Sequence, residues 1–443
     1  MFKELSAPIT VHWEVTPLCN LNCIHCYNYW RKNKSNTLYA KNSYCESITE
    51  EIIRNKIFNV IITGGEPLKV FDDIYLYLKR LTTNGVRLLL NSNLTLLNER
   101  FIEKLGELGI DSILTSLPSS KTETYKLITG NRKALLATIK GIKMALKNQI
   151  NITVNMVISK INLNEIFETA KYLSEIGVTS FAATKAAIPS SGIDFSKFAL
   201  SIDDYRNMLD ELLRINSELK IKVSSLEFYP ICSFGNKDRF RSFSTKFCTA
   251  GKTACSISFN GQIFPCPHIQ LNNYGNIEEG LKKAWKKMSI WRTNCLIPIE
   301  CSNCNFKNFC MGGCKAESFL KNGSLNSPDP YCDFTFKTYD LKNKKAVKNQ
   351  LGINEKLLIN NNLKTRNETF GGILFLSINR WVAVNKKIYR LATENKGSIT
   401  SIGEISKYLV IPIEESAKTV NYLLSKSILT VKKGGEIGAY RDN

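Results

Sequence analysis

No apolar run in this 443-residue chain approaches the roughly 20 residues that span a bilayer. Its start, MFKELSAPIT, lacks the basic, apolar and small-residue succession of a signal peptide. The chain is therefore expected in the cytoplasm, with no membrane partner. Acidic residues are few beside basic ones, 39 against 60, which leaves a formal net charge of +21. That surplus suits an acidic partner, whether nucleic acid, anionic lipid or acidic peptide, and equally a lysine-rich solvated surface. The expected compartment argues against a disulfide framework, because it keeps thiols reduced; 14 cysteines there point to metal or redox chemistry.

Three of those cysteines form CxxxCxxC in TPLCNLNCIHC: Cys19, Cys23 and Cys26. Structural zinc usually takes four protein ligands and disulfides take pairs, so a set of three needs another explanation. A cubane four-iron cluster bound by three thiolates keeps one iron free for substrate or cofactor. Zinc with His25 as fourth ligand is the strained alternative, because His25 lies between Cys23 and Cys26.

From residue 9 to about 235, the runs ITVHWEV, NVIITGG, VRLLLNSN, SILTSL, NITVNMVIS and SFAATK alternate with helical patterns such as IFETAKYLSEIG and KALLATIKGIKMALKN. The alternation predicts an α/β fold, a (β/α)6 partial TIM barrel over residues 1–235, with its chemistry at the C-terminal ends of the strands. CNLNCIHC follows the first strand and GGEP the second. In that second turn Gly64 and Gly65 let the backbone approach a small ligand, Glu66 offers a carboxylate to an ammonium group, and Pro67 fixes the turn. A strand-to-helix turn selects similar residues for purely structural reasons. Its position one βα unit after the cysteines gives GGEP its weight.

Residues 236–340 change texture, with KFCTAGKTACSISFNGQIFPCPH, CSNCNFKNFCMGGC and YCDF. Few long apolar runs remain there to build a core, so metal is expected to supply part of the folding energy. Zinc ribbons are one way to use such cysteines. Residues 341–361 read as a basic linker. Residues 362–443 open with three short strands, LKTRNETF, GILFLSI and RWVAVN, and continue as three helices, which makes a small winged-helix-like α+β domain.

CxxxCxxC followed one unit later by GGEP resembles the radical SAM superfamily. The resemblance implies that Cys19, Cys23 and Cys26 hold a 4Fe-4S cluster whose open iron chelates S-adenosyl-L-methionine, with Gly64, Gly65, Glu66 and Pro67 against that cofactor. It also places His25 near the adenine, and Ser116 and Asn155 at positions that touch ribose or carboxylate. After Ser116 the chain has LPSS where relatives often show an Asp-Gly pair. Cofactor cleavage in this family yields a 5′-deoxyadenosyl radical that removes a substrate hydrogen.

The later cysteines resemble the SPASM extension. By that resemblance Cys248, Cys255, Cys266 and Cys314 hold one auxiliary cluster, and Cys301, Cys304, Cys310 and Cys332 another, for three 4Fe-4S clusters in all. Cys255 falls where some relatives leave an open iron. Cys45, Cys232 and Cys295 stay outside the scheme and are expected as small buried hydrophobes. Anaerobic sulfatase maturases share both auxiliary clusters, but many carry an Asp where this chain continues Pro267-His268.

The C-terminal segment resembles the PqqD-like recognition element of ribosomal peptide maturation. Such modules add a leader peptide as a strand beside their third strand, with the last helix as the other wall. Here the groove would involve Arg380, Trp381, Val382, Ala383, Val384, Val420, Tyr422, Leu423 and Leu424, with Lys386, Lys387 and Lys418 attracting an acidic leader. The resemblance as a whole implies a sactipeptide- or ranthipeptide-synthase-like maturase that forms a thioether or carbon-carbon crosslink. Its partners would be a precursor peptide and an electron donor such as flavodoxin or ferredoxin. The alternatives are a sulfatase-maturase-like enzyme and, from another class, an iron-sulfur DNA-binding regulator. Against the regulator, strands precede helices, and no helix clusters the Arg and Asn of base readout.

Overall fold

The computed structural model describes residues 4–28, 42–189, 194–236, 238–269, 273–335, 351–433 and 436–438. The chain forms two compact units, residues 7–338 and a second comprising Tyr339–Asn443 with Lys3–Ser6. Among the described residues no helix is long and apolar enough to cross a membrane.

In the first unit β1 (Thr10–Glu14), β2 (Asn59–Thr63), β3 (Arg87–Asn91), β4 (Ser112–Ser116), β5 (Ile152–Ile158), β6 (Ser180–Lys185) and β7 (Lys222–Ser224) lie side by side in chain order. Neighbours in this series pair in parallel. The connections carry α1 (Asn42–Arg54), α2 (Phe71–Thr83), α3 (Glu99–Glu107), α4 (Thr122–Thr129), α5 (Ala134–Lys147), α6 (Ile166–Glu175) and α7 (Ile202–Leu219). Apolar side chains at helical spacing explain the burial: α2 turns Phe71, Ile74, Leu78 and Leu81 inward and leaves its charges outside. This is the α/β parallel sheet that the alternating runs predict, with all its strand ends on one edge.

Two strands are additions to the expectation. β7 is three residues, Lys222-Val223-Ser224, too short to announce itself. On the other side of β1, β8 (Ala254–Ile257) pairs in parallel, and β9 (Ile263–Phe264) runs antiparallel to β8. All four residues of β8 are buried. The cysteine-rich segment therefore shares the barrel's sheet and its compact unit, and residue 235 is no structural boundary. Its short helices are α8 (Leu281–Lys287), α9 (Lys307–Cys310) and α10 (Lys315–Asn322).

The second unit contains the three expected strands, β11 (Lys364–Glu368), β12 (Gly371–Ser377) and β13 (Arg380–Asn385), as an antiparallel sheet. The three expected helices follow, α11 (Lys386–Glu394), α12 (Ile402–Leu409) and α13 (Ile413–Ser425). A second sheet went unforeseen: β14 (Ile399–Thr400), β10 (Leu357–Ile359), β15 (Leu429–Lys433) and β16 (Glu436–Gly438), in that order. β10 lies inside the stretch read as linker, and Leu357 and Ile359 are core residues. From the N-terminal piece, Ser6 N donates to Glu368 Oε2 at 2.8 Å.

Side chains of the expected groove divide by strand and helix periodicity. Val382, Val384, Val420, Leu423 and Leu424 lie in the core, which corrects their assignment to a peptide-binding wall. Trp381 and Ala383 point to the other face and are half-buried, while Arg380 and Tyr422 are exposed. α13 packs on α12 and β15, and the helix lying on β12 and β13 is α11.

Candidate functional site

The loop leaving β1 carries Cys19, Cys23 and Cys26, and the exit of β2 holds it in place. Gly65 N donates to Thr16 O at 2.6 Å and Glu66 N to Leu18 O at 2.7 Å. A Cβ on Gly65 would stand 2.0 Å from Leu18 O, and one on Gly64, where φ is +134°, would stand 2.5 Å from Thr16 O. The cysteine loop's own backbone thus demands both glycines, where the sequence reading assigned them to a bound ligand. At the loop's far end Asn28 Nδ2 donates to Gly64 O at 2.7 Å. Between these anchors, Asn22 N and Ile24 N donate to Thr129 O and Ile128 O at 3.0 and 2.9 Å. The three thiols keep part of their surface accessible and none is in a disulfide. His25 is half-buried between the last two.

Glu66 is 1% exposed. Its carboxylate accepts from Ser92 Oγ at 2.6 Å, Asn93 N at 2.8 Å and Leu68 N at 3.1 Å. Burial raises its pKa, and those three donors act in the opposite direction. The carboxylate expected to meet an ammonium group is thus committed to tying the exit of β2 to that of β3. Pro67 begins a short 3₁₀ turn and is buried. Ser116, at the end of β4, stands opposite Asn155 in the β4–β5 register. The structure so joins two residues that the sequence singled out separately. Asn155 Oδ1 accepts from Thr184 Oγ1 at 2.8 Å.

The later cysteines form two groups. Cys248, Cys266 and Cys314 act on one another electrostatically. Cys255, expected as their fourth member, sits on β8 opposite Val11, 1% exposed, and burial alone pushes its thiol up. Insertion of β8 beside β1 carries it into the core. In the second group, the Cys332 thiol donates to Gly312 O at 3.8 Å, and Cys232 and Cys301 both act on it to push its pKa up. Cys304 and Cys310 feel the charge of Cys232, and Ile231 N donates to Cys310 Sγ at 3.4 Å. Cys232 therefore belongs with Cys301, Cys304, Cys310 and Cys332, against the expectation of an isolated apolar residue. Its place far upstream gave no spacing signal. Cys45 is buried on α1 as expected, whereas Cys295 is exposed.

Among the described residues no three His, Cys, Asp or Glu side chains converge as ligands of one metal ion do. A cluster that takes one thiolate per iron requires a wider arrangement. Lys252 and Lys315, each 4% exposed, sit among Cys248, Cys310 and, for Lys315, Cys301. Lys252 Nζ lies 2.8 Å from Met311 Sδ, and Lys315 Nζ has no hydrogen-bond partner. An unpaired buried ammonium costs on the order of several kcal/mol. Beside thiols it fits an anionic occupant, and a thiolate-bound iron-sulfur cluster is one.

A buried ion cluster joins β6 to the cysteine-rich segment. Lys185 Nζ, on a residue 3% exposed, is 3.4 Å from Glu317 Oε1, 4.0 Å from Glu227 Oε2 and 4.6 Å from the Tyr331 ring centroid. Burial lowers the Lys185 pKa, but Glu317 and Glu227 outweigh it and the net shift is well upward. Burial pushes Glu227 up to about 7 and Asp329 up to about 6. Glu227 still keeps 22% of its side-chain surface exposed. One lysine thus faces three carboxylates, none of them in a sequence motif. The His268 ring stacks on Tyr27, next to Cys26, with centroids 4.1 Å apart. Burial, then Lys185, lowers the His268 pKa to about 4, so this imidazole is neutral near pH 7. Chemically, the region offers accessible thiols, a neutral imidazole and a carboxyl group that titrates near neutrality.

A family model described as the radical SAM superfamily matches residues 13–173. The AdoMet-dependent heme synthase of Methanosarcina barkeri is 27% identical over 352 residues, covering 75% of this chain and 98% of that protein. The mycofactocin maturase MftC of Mycobacterium tuberculosis is 25% identical over 336 residues, covering 74% of this chain and 84% of that protein. Among solved structures, Streptococcus suis SuiB bound to precursor peptide SuiA superposes with a TM-score of 0.61 at 19% identity, covering 74% of this chain and 76% of that one.

Proposed function

We propose that this chain, whose residues 13–173 match the radical SAM superfamily, modifies a ribosomally made precursor peptide, abstracting hydrogen from a core residue to form a thioether or carbon-carbon crosslink. The family implies a 4Fe-4S cluster and S-adenosylmethionine, which together supply the hydrogen abstraction when bound. Cys19, Cys23 and Cys26 are the cluster ligands in this reading. Ser116 and Asn155 orient the cofactor, with His25 beside its adenine, while Gly64 to Pro67 shape and hold the cysteine loop that receives it. Cys248, Cys266 and Cys314, and the group around Cys301, hold two auxiliary clusters. Glu227 and His268 are placed to hold or move a proton next to them.

One observation carries the peptide reading: β13 closes its sheet and pairs only with β12 among the described residues. Its other edge is a row of backbone donors and acceptors open to an added strand. Trp381 and Ala383 supply outward side chains on that strand, and a basic chain suits an acidic leader. The match to a heme synthase favours a second reading, a porphyrin-type substrate. About a quarter of this chain lies outside that match although nearly all of the heme synthase lies inside it. The second unit, residues 339–443, is a segment of that size.

The test is a labelled synthetic acidic leader-type peptide titrated against the full chain by fluorescence anisotropy. Deleting residues 339–443 should weaken binding by about 100-fold or more while uncoupled 5′-deoxyadenosine formation persists. Binding of the peptide at full affinity by the truncated chain would overturn the recognition role of the second unit.

A further inference from the structure

We propose that Cys232 is an iron ligand of the second auxiliary site, interchangeable with Cys332. The inference rests on the reading that Cys301, Cys304, Cys310 and Cys332 hold a four-iron cluster.

Cys232 and its neighbours contact this group through backbone N–H to sulfur hydrogen bonds, which makes five thiols where four irons would need four. Two separate elements bring the extra one in. Cys232 lies in the 3₁₀ turn Ile231–Phe234, which follows β7 of the barrel, and Cys332 lies after α10. Arg206 on α7 clamps both segments: its Nε donates to Ser233 O at 2.9 Å and its Nη2 to Asp333 Oδ2 at 2.7 Å. Across that clamp Asp333 N donates to Cys232 Sγ at 3.3 Å, and Ile231 N donates to Cys310 Sγ at 3.4 Å. Backbone N–H donors to sulfur are the contacts a ligating thiolate uses, and both thiols of the pair sit beside Cys301. A cysteine placed merely as a small hydrophobe has no use for a charge-clamped turn that aims its sulfur at four others.

The exchange balances without a redox partner. Were a cluster bound, the iron–sulfur bond to Cys332 would give way to one from Cys232, and the proton released by the incoming Cys232 thiol would be taken up by the outgoing Cys332 thiolate, whose thiol here donates to Gly312 O at 3.8 Å. No electron moves. The open coordination chemistry of the first cysteine loop, one iron without a fixed protein ligand, thus has a counterpart in a site with one thiol to spare.

Anaerobically reconstituted full-length chain tests this through iron and sulfide content and through the electron paramagnetic resonance of the reduced clusters. Cys232→Ala and Cys332→Ala alone should each keep the wild-type iron content, with altered g-values in Cys332→Ala. The double variant should lose about four irons per chain, as should Cys304→Ala, the control for a thiol with no substitute. Loss of those irons from Cys332→Ala alone, to the level of Cys304→Ala, would show that Cys232 cannot ligate and overturn the proposal. If wild type and Cys304→Ala bind equal iron, the second site holds no cluster, and the underlying reading falls with it. Circular dichroism of each variant separates ligand loss from unfolding.

Discussion

The two cysteine fields are built in opposite ways. The first places three thiols within eight residues of one loop, and backbone hydrogen bonds from the exit of β2 and the end of α4 shape that loop. The second gathers thiols scattered from Cys232 to Cys332, and holds them with short helices, buried lysines and an ion cluster at the end of β6. A preformed parallel sheet scaffolds the first field whatever it binds. The second field leaves Lys315 without a partner, so its stability depends on what the thiols hold. The difference is between a site presented by a fold and a site that helps make one.

The comparison breaks most visibly at Cys23. Cys23→Ala should reduce 5′-deoxyadenosine formation to the no-enzyme background while far-ultraviolet circular dichroism stays unchanged, because the loop's anchors are backbone groups. Chelation of iron should, by contrast, lower the melting temperature through the second field. Next in size is Lys185→Met, which leaves Glu317 and Glu227 buried without their cation. A loss of about 3–5 kcal/mol in urea unfolding is expected.

Gly65→Ala tests the first scaffold directly. With a Cβ 2.0 Å from Leu18 O, the loop or the turn must shift. The expected cost is about 1–3 kcal/mol, with lower iron occupancy of the first site at equal protein concentration. Within the second field, Cys266→Ala should remove iron and Cys255→Ala should not, since β8 buries Cys255 and burial alone shifts its thiol. Comparable iron loss in both would return Cys255 to the ligand set.

The smallest effect is a slope. The Glu227 carboxyl rises from 4.5 to about 7 in the folded chain, so the native state keeps a proton that the unfolded chain releases. Its contribution is fully present below pH 4.5 and lost as pH rises towards 7. Asp329, raised from 3.8 to about 6, acts in the same sense. Glu227→Gln should flatten the pH dependence of the urea midpoint over that window, by up to about 3 kcal/mol.

How much was legible follows the same division. β1 to β6 were readable because each is a short apolar run buried on a parallel sheet, and CxxxCxxC and GGEP because each occupies one turn after such a run. β7 and β8 were not: one is three residues long, and the other sits in sequence that looked too poor in apolar runs to form a core. The groove residues failed in a different way. Val382 and Val384 alternate with Trp381 and Ala383, so a contiguous stretch cannot all face one partner. The second sheet of the C-terminal unit escaped because β14 has two residues and β10 lies in the stretch read as linker.

The spacing of Cys19, Cys23 and Cys26 by itself determined that three thiols stay together in one loop at a strand's end. Their neighbours' roles were decided in three dimensions. Gly65 serves the loop because β1 and β2 are adjacent, and Cys255 is core because β8 inserts beside β1. Cys232 joins the thiols near Cys301, and Lys185 meets Glu227 and Glu317, because α7 and β6 bring distant segments together. Short spacings are limited by the reach of the chain and can be read along it. Meetings across long separations are selected by strand order and burial, which no local pattern encodes.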